Sequence, residues 1–258
     1  MTAQQASLVQ PPAPTCPGLA GIMQRRLAPP IAFSNAWLEV YSRTTPQSSI
    51  GGDLSDLVTR NEDAVAYVTD VSGHGVAAGV LMGMVKTAAR YGLMSGQGLP
   101  ELLGGINRVL PSVKEPSMYA TFAGVRVDRA GRMEYSIAGG LPVLHYRESR
   151  RKVVRLTMEQ FPLGMFHEAQ YRSRCVECAP GDLLAVLTDG LVETVNPRDE
   201  EFGLPRIEAV LCAFAGRPLQ DIYDAVLDAV GHHGEQADDR TLMLVRLPER
   251  SGSYCHAS

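Results

Sequence analysis

No stretch of this 258-residue chain is apolar for long enough to cross a membrane, which takes about 20 such residues in a row. The first residues carry no basic patch followed by an apolar run, so no secretory signal is expected there. Basic residues are not in excess. Lys and Arg number 24 against 28 Asp and Glu, for a net charge of -4 and a pI near 5.9. The electrostatic footprint of a nucleic-acid binder is therefore missing. Cysteine is scarce and irregularly placed, at Cys16, Cys175, Cys178, Cys212 and Cys255. The Cys175/Cys178 pair has no second CxxC or nearby CxxH to complete a zinc site. It also falls in a strand-like stretch, where residues three apart point to opposite faces. Ordinary thiols in a reducing cytosol are the expectation, and with it a cytoplasmic location. There is no internal repeat, and no Gly-Lys-Ser/Thr follows a glycine-rich turn, so a Walker loop is excluded.

What is present is a 45% hydrophobic chain, long enough for one substantial core. Residues 1–20 are rich in Gln, Ala, Pro and Thr and read as a disordered tail, and one helical turn is expected after it, near Ile22–Leu27. Residues 21–248 read as one domain and 249–258 as a flexible C-terminal tail. Strands are expected over Asn35–Arg43, Asp63–Val71, Tyr119–Val127, Arg132–Ile137, Val143–Arg147, Lys152–Leu156, Gln170–Glu177, Asp182–Leu187 and Thr241–Arg246. Helical spacing predicts helices over Gly75–Met94, Leu99–Leu110, Leu204–Phe214 and Leu219–Val230. Runs of strands interrupted by helix pairs argue for an α+β fold of two packed sheets covered by helices.

Four acidic segments sit at element ends: Gly51-Gly52-Asp53-Leu54-Ser55-Asp56, Asp70-Val71-Ser72-Gly73-His74-Gly75, Thr188-Asp189-Gly190, and Asp238-Asp239-Arg240-Thr241. Taken singly, each reads as well as a turn or a helix cap. Together they are carboxylates far apart in sequence, each at a strand edge, that can converge in space. Carboxylate oxygens and water suit Mg²⁺ or Mn²⁺. Two such ions can activate water against a phosphoryl group, so the protein needs no nucleophilic Ser or Cys.

In order and content these segments, with Leu191-Val192-Glu193 and Phe202-Gly203 following the third, resemble the SpoIIE/RsbU-like branch of the PPM (protein phosphatase type 2C-like) metal-dependent phosphatases. The likeness extends over about residues 35 to 247. It implies an αββα sandwich of two antiparallel β-sheets flanked by helix pairs. It implies two or more Mn²⁺ or Mg²⁺ ions, with Asp70 bridging two of them and the carbonyl of Val71 as a further ligand. Asp189 and Asp238 would bind from the other side and Asp53 through water. Asp239 is the weaker metal candidate, and Asp56 would order the turn. His74 reads either as a general acid for the leaving serine oxygen or as a loop histidine bonded to backbone. Gly140, in Ala138-Gly139-Gly140-Leu141-Pro142, stands where many relatives carry a His. No Arg immediately precedes Gly51, so the metals and docking of the partner would supply substrate affinity. The implied substrate is a phosphorylated protein, a small anti-sigma-factor antagonist in a bacterial partner-switching pathway, with control by a regulatory protein or homodimerisation. A catalytically weak or inactive interaction module of the same fold is the competing reading. A two-metal nuclease is a third, disfavoured by the lack of basic stripes.

Overall fold

The computed structural model describes residues 19–248. The tail expected over 1–20, except its last two residues, and the tail expected over 249–258 lie outside the described residues. Helix α1 (Leu19–Leu27) leads into strands β1 (Ile31–Ser34), β2 (Glu39–Thr45), β3 (Leu54–Thr59) and β4 (Asp63–Val71). The helix pair α2 (Gly75–Met94) and α3 (Leu99–Val109) follows. Next come β5 (Ala120–Asp128), β6 (Arg132–Ala138), β7 (Val143–Arg147), β8 (Lys152–Leu156), β9 (Arg174–Glu177) and β10 (Leu183–Leu187). A short α4 (Asp189–Val192), the pair α5 (Gly203–Phe214) and α6 (Leu219–His233), and β11 (Arg240–Arg246) complete the chain.

The strands form two antiparallel sheets, ordered β1-β2-β11-β10-β7-β8 and β3-β4-β5-β6-β9. The alternation along β4 explains why they stack. Val65, Tyr67 and Val71 face α2 and α3, where they join Leu81, Met82, Val85 and Leu103 in one apolar layer. Ala64, Ala66 and Val68 face the other way and pack between the sheets with Val125, Val186, Met243 and Val245. A third layer lies under α5 and α6, where Ile207, Leu211, Ile222 and Val226 cover Leu144, Ala185 and Leu244. Both faces of both sheets are thus covered, which gives the αββα sandwich. Near-continuous apolar strands such as Leu183–Leu187 follow from that double burial.

Two strands are absent from the sequence-based reading. β1 is only four residues long. β3 looks like an acidic turn because Asp53 precedes it and Asp56 lies within it, yet Asp56 pairs across the ladder with Tyr67. Asp56 is tolerated there because Arg90 of α2 grips both its oxygens, at 2.7 and 2.9 Å. Lys86 stands 3.5 Å away and the Tyr67 hydroxyl donates at 3.0 Å. Asp56 therefore ties β3 to α2 rather than ordering the preceding turn. β9 begins at Arg174, later than the expected Gln170. Tyr171 and Arg172 bond to Asn107 and Gln160 instead of joining the ladder.

Candidate metal centre

Four strand ends meet at one edge of the sandwich. Asp53 immediately precedes β3, Asp70 lies one residue from the end of β4, Asp189 follows β10, and Asp238 and Asp239 precede β11. β3 and β4 belong to one sheet, β10 and β11 to the other. The sheets touch through β3, β4, β10 and β11, so the packing brings five carboxylates from four segments to one place.

Each is held differently. Asp53 is 1% exposed, and one of its oxygens accepts from the hydroxyls of Thr188 and Thr241, both at 2.7 Å. Those two threonines also bond each other's strands, with the Thr241 amide donating to the Thr188 hydroxyl at 3.0 Å. Asp70 pairs with Thr121 in the β4–β5 ladder and stands near enough to Asp53 for the two charges to oppose each other. Asp239 is a clamp: Oδ1 accepts the Gln47 amide at 2.7 Å and Oδ2 the Gly52 amide at 2.8 Å. Asp238 is exposed, with one oxygen accepting the Asp239 amide. The two members of the Asp-Asp pair thus do different work. Asp239 fixes the Gly51–Asp53 turn while Asp238 faces the opening.

Glycine is required at two of the approaches. A Cβ on Gly52 would stand 2.5 Å from the carbonyl oxygen of Val71, which shows how closely the turn passes that carbonyl. A Cβ on Gly190 would fall 2.0 Å from the carbonyl oxygen of Asp239.

The electrostatics identify what this edge is built to bind. Burial and then Asp70 raise the pKa of Asp53 well above the ordinary carboxylate value. Asp70 is pushed up to about 7 by burial, Asp189, Asp238 and Asp239. Burial and Asp238 raise Asp189. Glu193, one helical turn beyond Asp189, is raised too. No Lys, Arg or His among the described residues is a source of relief for Asp53, Asp70 or Asp189. Arg240, next in sequence, turns away to the Thr194 hydroxyl. Arg43 lies over the rings of Tyr41 and Tyr223. Crowded carboxylates without a protein cation are costly until something positive joins them. An all-oxygen donor set is what hard divalent cations take, so the residues fit Mg²⁺ or Mn²⁺. A cavity of 240 Å³ lies against them, lined by Asp70, Thr121, Gly140, Leu141, Asp189 and Glu193.

His74 sits at the cap position of α2, exposed, with no side-chain capping bond. Thr188, Thr241 and Glu193 are absent from the sequence-based set of candidates. Their signal was their place inside the Thr-Asp-Gly-Leu-Val-Glu and Asp-Asp-Arg-Thr segments.

A second cluster lies elsewhere. His145 Nε2 meets Asp182 at 2.9 Å, and the Cys178 sulfur lies 3.8 Å from the same nitrogen. Asp182 also accepts the amides of Ala179 and Glu148, so its charge is answered within the protein. Burial, with Asp182 beside it, pushes the Cys178 thiol up to about 12, which keeps it protonated. Cys175 is exposed and Cys178 half-buried, and they do not form a chelating pair.

Residues 60–248 match the family model of stage II sporulation protein E (SpoIIE). The chain is 26% identical to the phosphoserine phosphatase RsbU of Bacillus subtilis over 232 residues, covering 88% of this chain and 68% of that protein. It is 23% identical to the phosphoserine phosphatase RsbP of the same organism, of which it spans 55%. Among solved structures, it overlays on the SiaA-PP2C domain of Pseudomonas aeruginosa with a TM-score of 0.75 at 20% identity, covering 88% of this chain and 94% of that one. The catalytic domain of the serine/threonine phosphatase PstP, solved in complex with two manganese ions, overlays with a TM-score of 0.63 at 14% identity, over 83% and 99% of the two chains.

Proposed function

The chain belongs to the SpoIIE family, and from that premise we propose that it is a metal-dependent protein serine/threonine phosphatase. Its substrate class is phosphoserine or phosphothreonine on a regulatory protein. The observation that carries this reading is the cluster of Asp53, Asp70 and Asp189 beside Asp238, with no cationic side chain among the causes that act on the first three.

Asp70, Asp189, Asp238, Asp53 and the Val71 carbonyl are the residues that would hold two or more Mn²⁺ or Mg²⁺ ions. When bound, such ions supply neutralisation of phosphoryl charge and activation of water at neutral pH. The chain's own groups set the stage. Thr188 and Thr241 fix the rotamer of Asp53, and the Asp239 clamp fixes the turn that carries it. The Ser72 hydroxyl accepts the Tyr119 amide at 2.9 Å, and both threonine hydroxyls donate to Asp53. The hydroxyls of Thr188 and Thr241 are committed to the Asp53 carboxylate, which supports direct attack by water rather than by either threonine. The exposed His74 is free to meet a leaving serine oxygen but is not positioned by any partner, so the proposal gives it at most an auxiliary role as general acid.

The finer reading follows the relatives. RsbU and RsbP are named phosphoserine phosphatases, and a structure from Mycobacterium tuberculosis joins RsbU and RsbW domains in one protein. That supports a small phosphorylated anti-sigma-factor antagonist as substrate, within a partner-switching pathway, with a regulatory protein or homodimerisation as control. Residues 21–248 form the catalytic domain in this proposal. No helix among the described residues is long and apolar enough to cross a membrane, which is compatible with a cytoplasmic enzyme.

Phosphate release from a phosphoserine protein and from an aryl phosphate tests the activity, with Mn²⁺, Mg²⁺ and EDTA compared. Turnover that needs the metal and collapses in Asp70→Asn is the expected result. Absence of turnover on any phosphoserine substrate, with metal bound and the fold intact, would instead favour the interaction-module reading.

A further inference from the structure

Between β8 and β9 the chain makes a 17-residue excursion, Thr157–Ser173, without regular secondary structure. It is nevertheless tied down at many points. Asn107, 1% exposed, donates to the carbonyls of Phe166 and His167 and accepts from the Gly164 amide and the Tyr171 hydroxyl. Gln160 accepts the Gly139 amide on its carbonyl, donates to the Ile137 carbonyl and accepts the Arg172 amide. Leu163 exchanges two backbone bonds with Ala120, at 3.0 and 2.8 Å. On this fixed loop three large apolar side chains face solvent: Phe161, Met165 and Phe166, exposed by 56%, 43% and 51%. The two phenylalanine rings meet edge-on, with centroids 4.5 Å apart. A rigid, ordered loop has no folding reason to hold that much apolar surface in water.

The loop also borders the carboxylate edge. Ala120 pairs with Val71 on one side and bridges Leu163 on the other. At the usual strand spacing that places the Leu163 backbone about 10 Å from that of Val71. Pro162 packs against Gly139, and Gly139 and Gly140 line the same cavity as Asp70 and Asp189. Surface that continues outward from a catalytic cavity is met by whatever enters the cavity.

We propose that Phe161, Met165 and Phe166 form a docking platform for an apolar side chain of the phosphoprotein substrate, close in sequence to the phosphorylated residue. This rests on the phosphatase reading and adds the chemistry of the substrate. At about 3.3 Å per extended residue, the roughly 10 Å from Val71 to Leu163 spans about three residues, and the reach from Leu163 out to the platform extends the expected separation from the phosphoserine to about three to five. The platform would hold the protein part of the substrate outside the cavity. Preorganised aromatic anchors suit that task, because little entropy is lost when they are covered.

The test compares wild type with Phe161→Ala/Phe166→Ala on three Mn²⁺-supported substrates. These are a phosphoserine peptide with Leu at each of positions three to five from the phosphoserine, the same peptide with Ala there, and p-nitrophenyl phosphate. The expected result is that kcat/KM for the Leu peptide, relative to p-nitrophenyl phosphate, falls by about tenfold or more in the double variant. The preference for Leu over Ala, present in wild type, should be lost, with the change mainly in KM. Met165→Ala should show the same loss in smaller measure. An unchanged ratio and an unchanged Leu preference would overturn the platform while leaving the phosphatase reading intact. A parallel fall on all three substrates would also overturn it, assigning the loop to support of the site. If wild type hydrolyses none of them, the phosphatase reading fails separately. Fluorescence anisotropy of the labelled Leu peptide then decides docking alone: binding lost in the double variant upholds the platform, and binding equal in both overturns it.

Discussion

Strand β10 carries an aspartate at each end, and the two are treated in opposite ways. At its start Asp182, 2% exposed, meets His145 and two backbone amides. Burial opposes its charge, but those partners outweigh the opposition and hold its pKa below the ordinary value. At its end Asp189 faces Asp238 and Asp70, and its pKa is raised. A buried carboxylate that stabilises a fold is given its hydrogen-bond donors by the protein. One that has no cationic partner and is placed beside others of its kind waits for a cation from outside. Asp56 and Asp53 repeat the contrast three residues apart. Asp56 has Arg90 and Lys86, whereas Asp53 has only two hydroxyls and a neighbouring carboxylate.

The contrast can be broken most forcefully through turnover. Asp70→Asn should lower kcat by about a thousandfold or more, since in the proposed reading Asp70 is one of the carboxylates that would hold the ions. Its metal-free thermal stability should not fall. A variant that keeps near-wild-type turnover would remove the distinction between the two ends of β10. Asp182→Ala should do the reverse. Loss of a buried, hydrogen-bonded partner costs on the order of 3 kcal/mol, read as a lower Tm with and without Mn²⁺, while the protein still folded retains metal-dependent turnover.

The pH dependence of the metal-free protein sharpens the contrast further. The folded pKa of Asp70 is about 7 against an ordinary 3.8, so the folded state holds a proton that the unfolded chain has released. The stability this confers is present at low pH and is lost as pH rises through that window. In EDTA the Tm contribution of this end should fall between about pH 4 and pH 7, and saturating Mn²⁺ should abolish the fall. Asp182, with its lowered pKa, contributes in the other sense, losing its stability only as pH drops below the ordinary carboxylate value. A Tm in EDTA that rises across the upper window in Asp182→Ala would contradict the assignment. The smallest effect expected is from Asp189→Asn, which relieves repulsion at a partly solvated position. Its Tm in EDTA should rise by no more than about 2 °C.

Much of the fold is legible in the sequence because both faces of both sheets are covered. The apolar run Asp63–Val71, the hairpin strands Val143–Arg147 and Lys152–Leu156, and the small-residue helix Gly75–Met94 have the same bounds in sequence and structure. β3 is not legible, because the partners that make Asp56 acceptable in a strand sit 30 and 34 residues away on α2. At the carboxylate edge, the acidic segments can be read from sequence, but their division of labour cannot. Nothing in Asp238-Asp239 reveals that the second residue is committed to the amides of Gln47 and Gly52 while the first faces the opening. Nor does any periodicity place the 157–173 loop beside Gly139, since its contacts are made by Asn107 and Gln160 rather than by a ladder.

The central claim, that this edge is a divalent-cation site and the opposite end of β10 is not, is tested most directly by calorimetric titration of Mn²⁺ into EDTA-stripped, dialysed protein. Wild type and Asp182→Ala should bind with the same stoichiometry, and Asp70→Asn should lose at least one ion. Equal binding by wild type and Asp70→Asn, or no saturable binding by wild type, would contradict it.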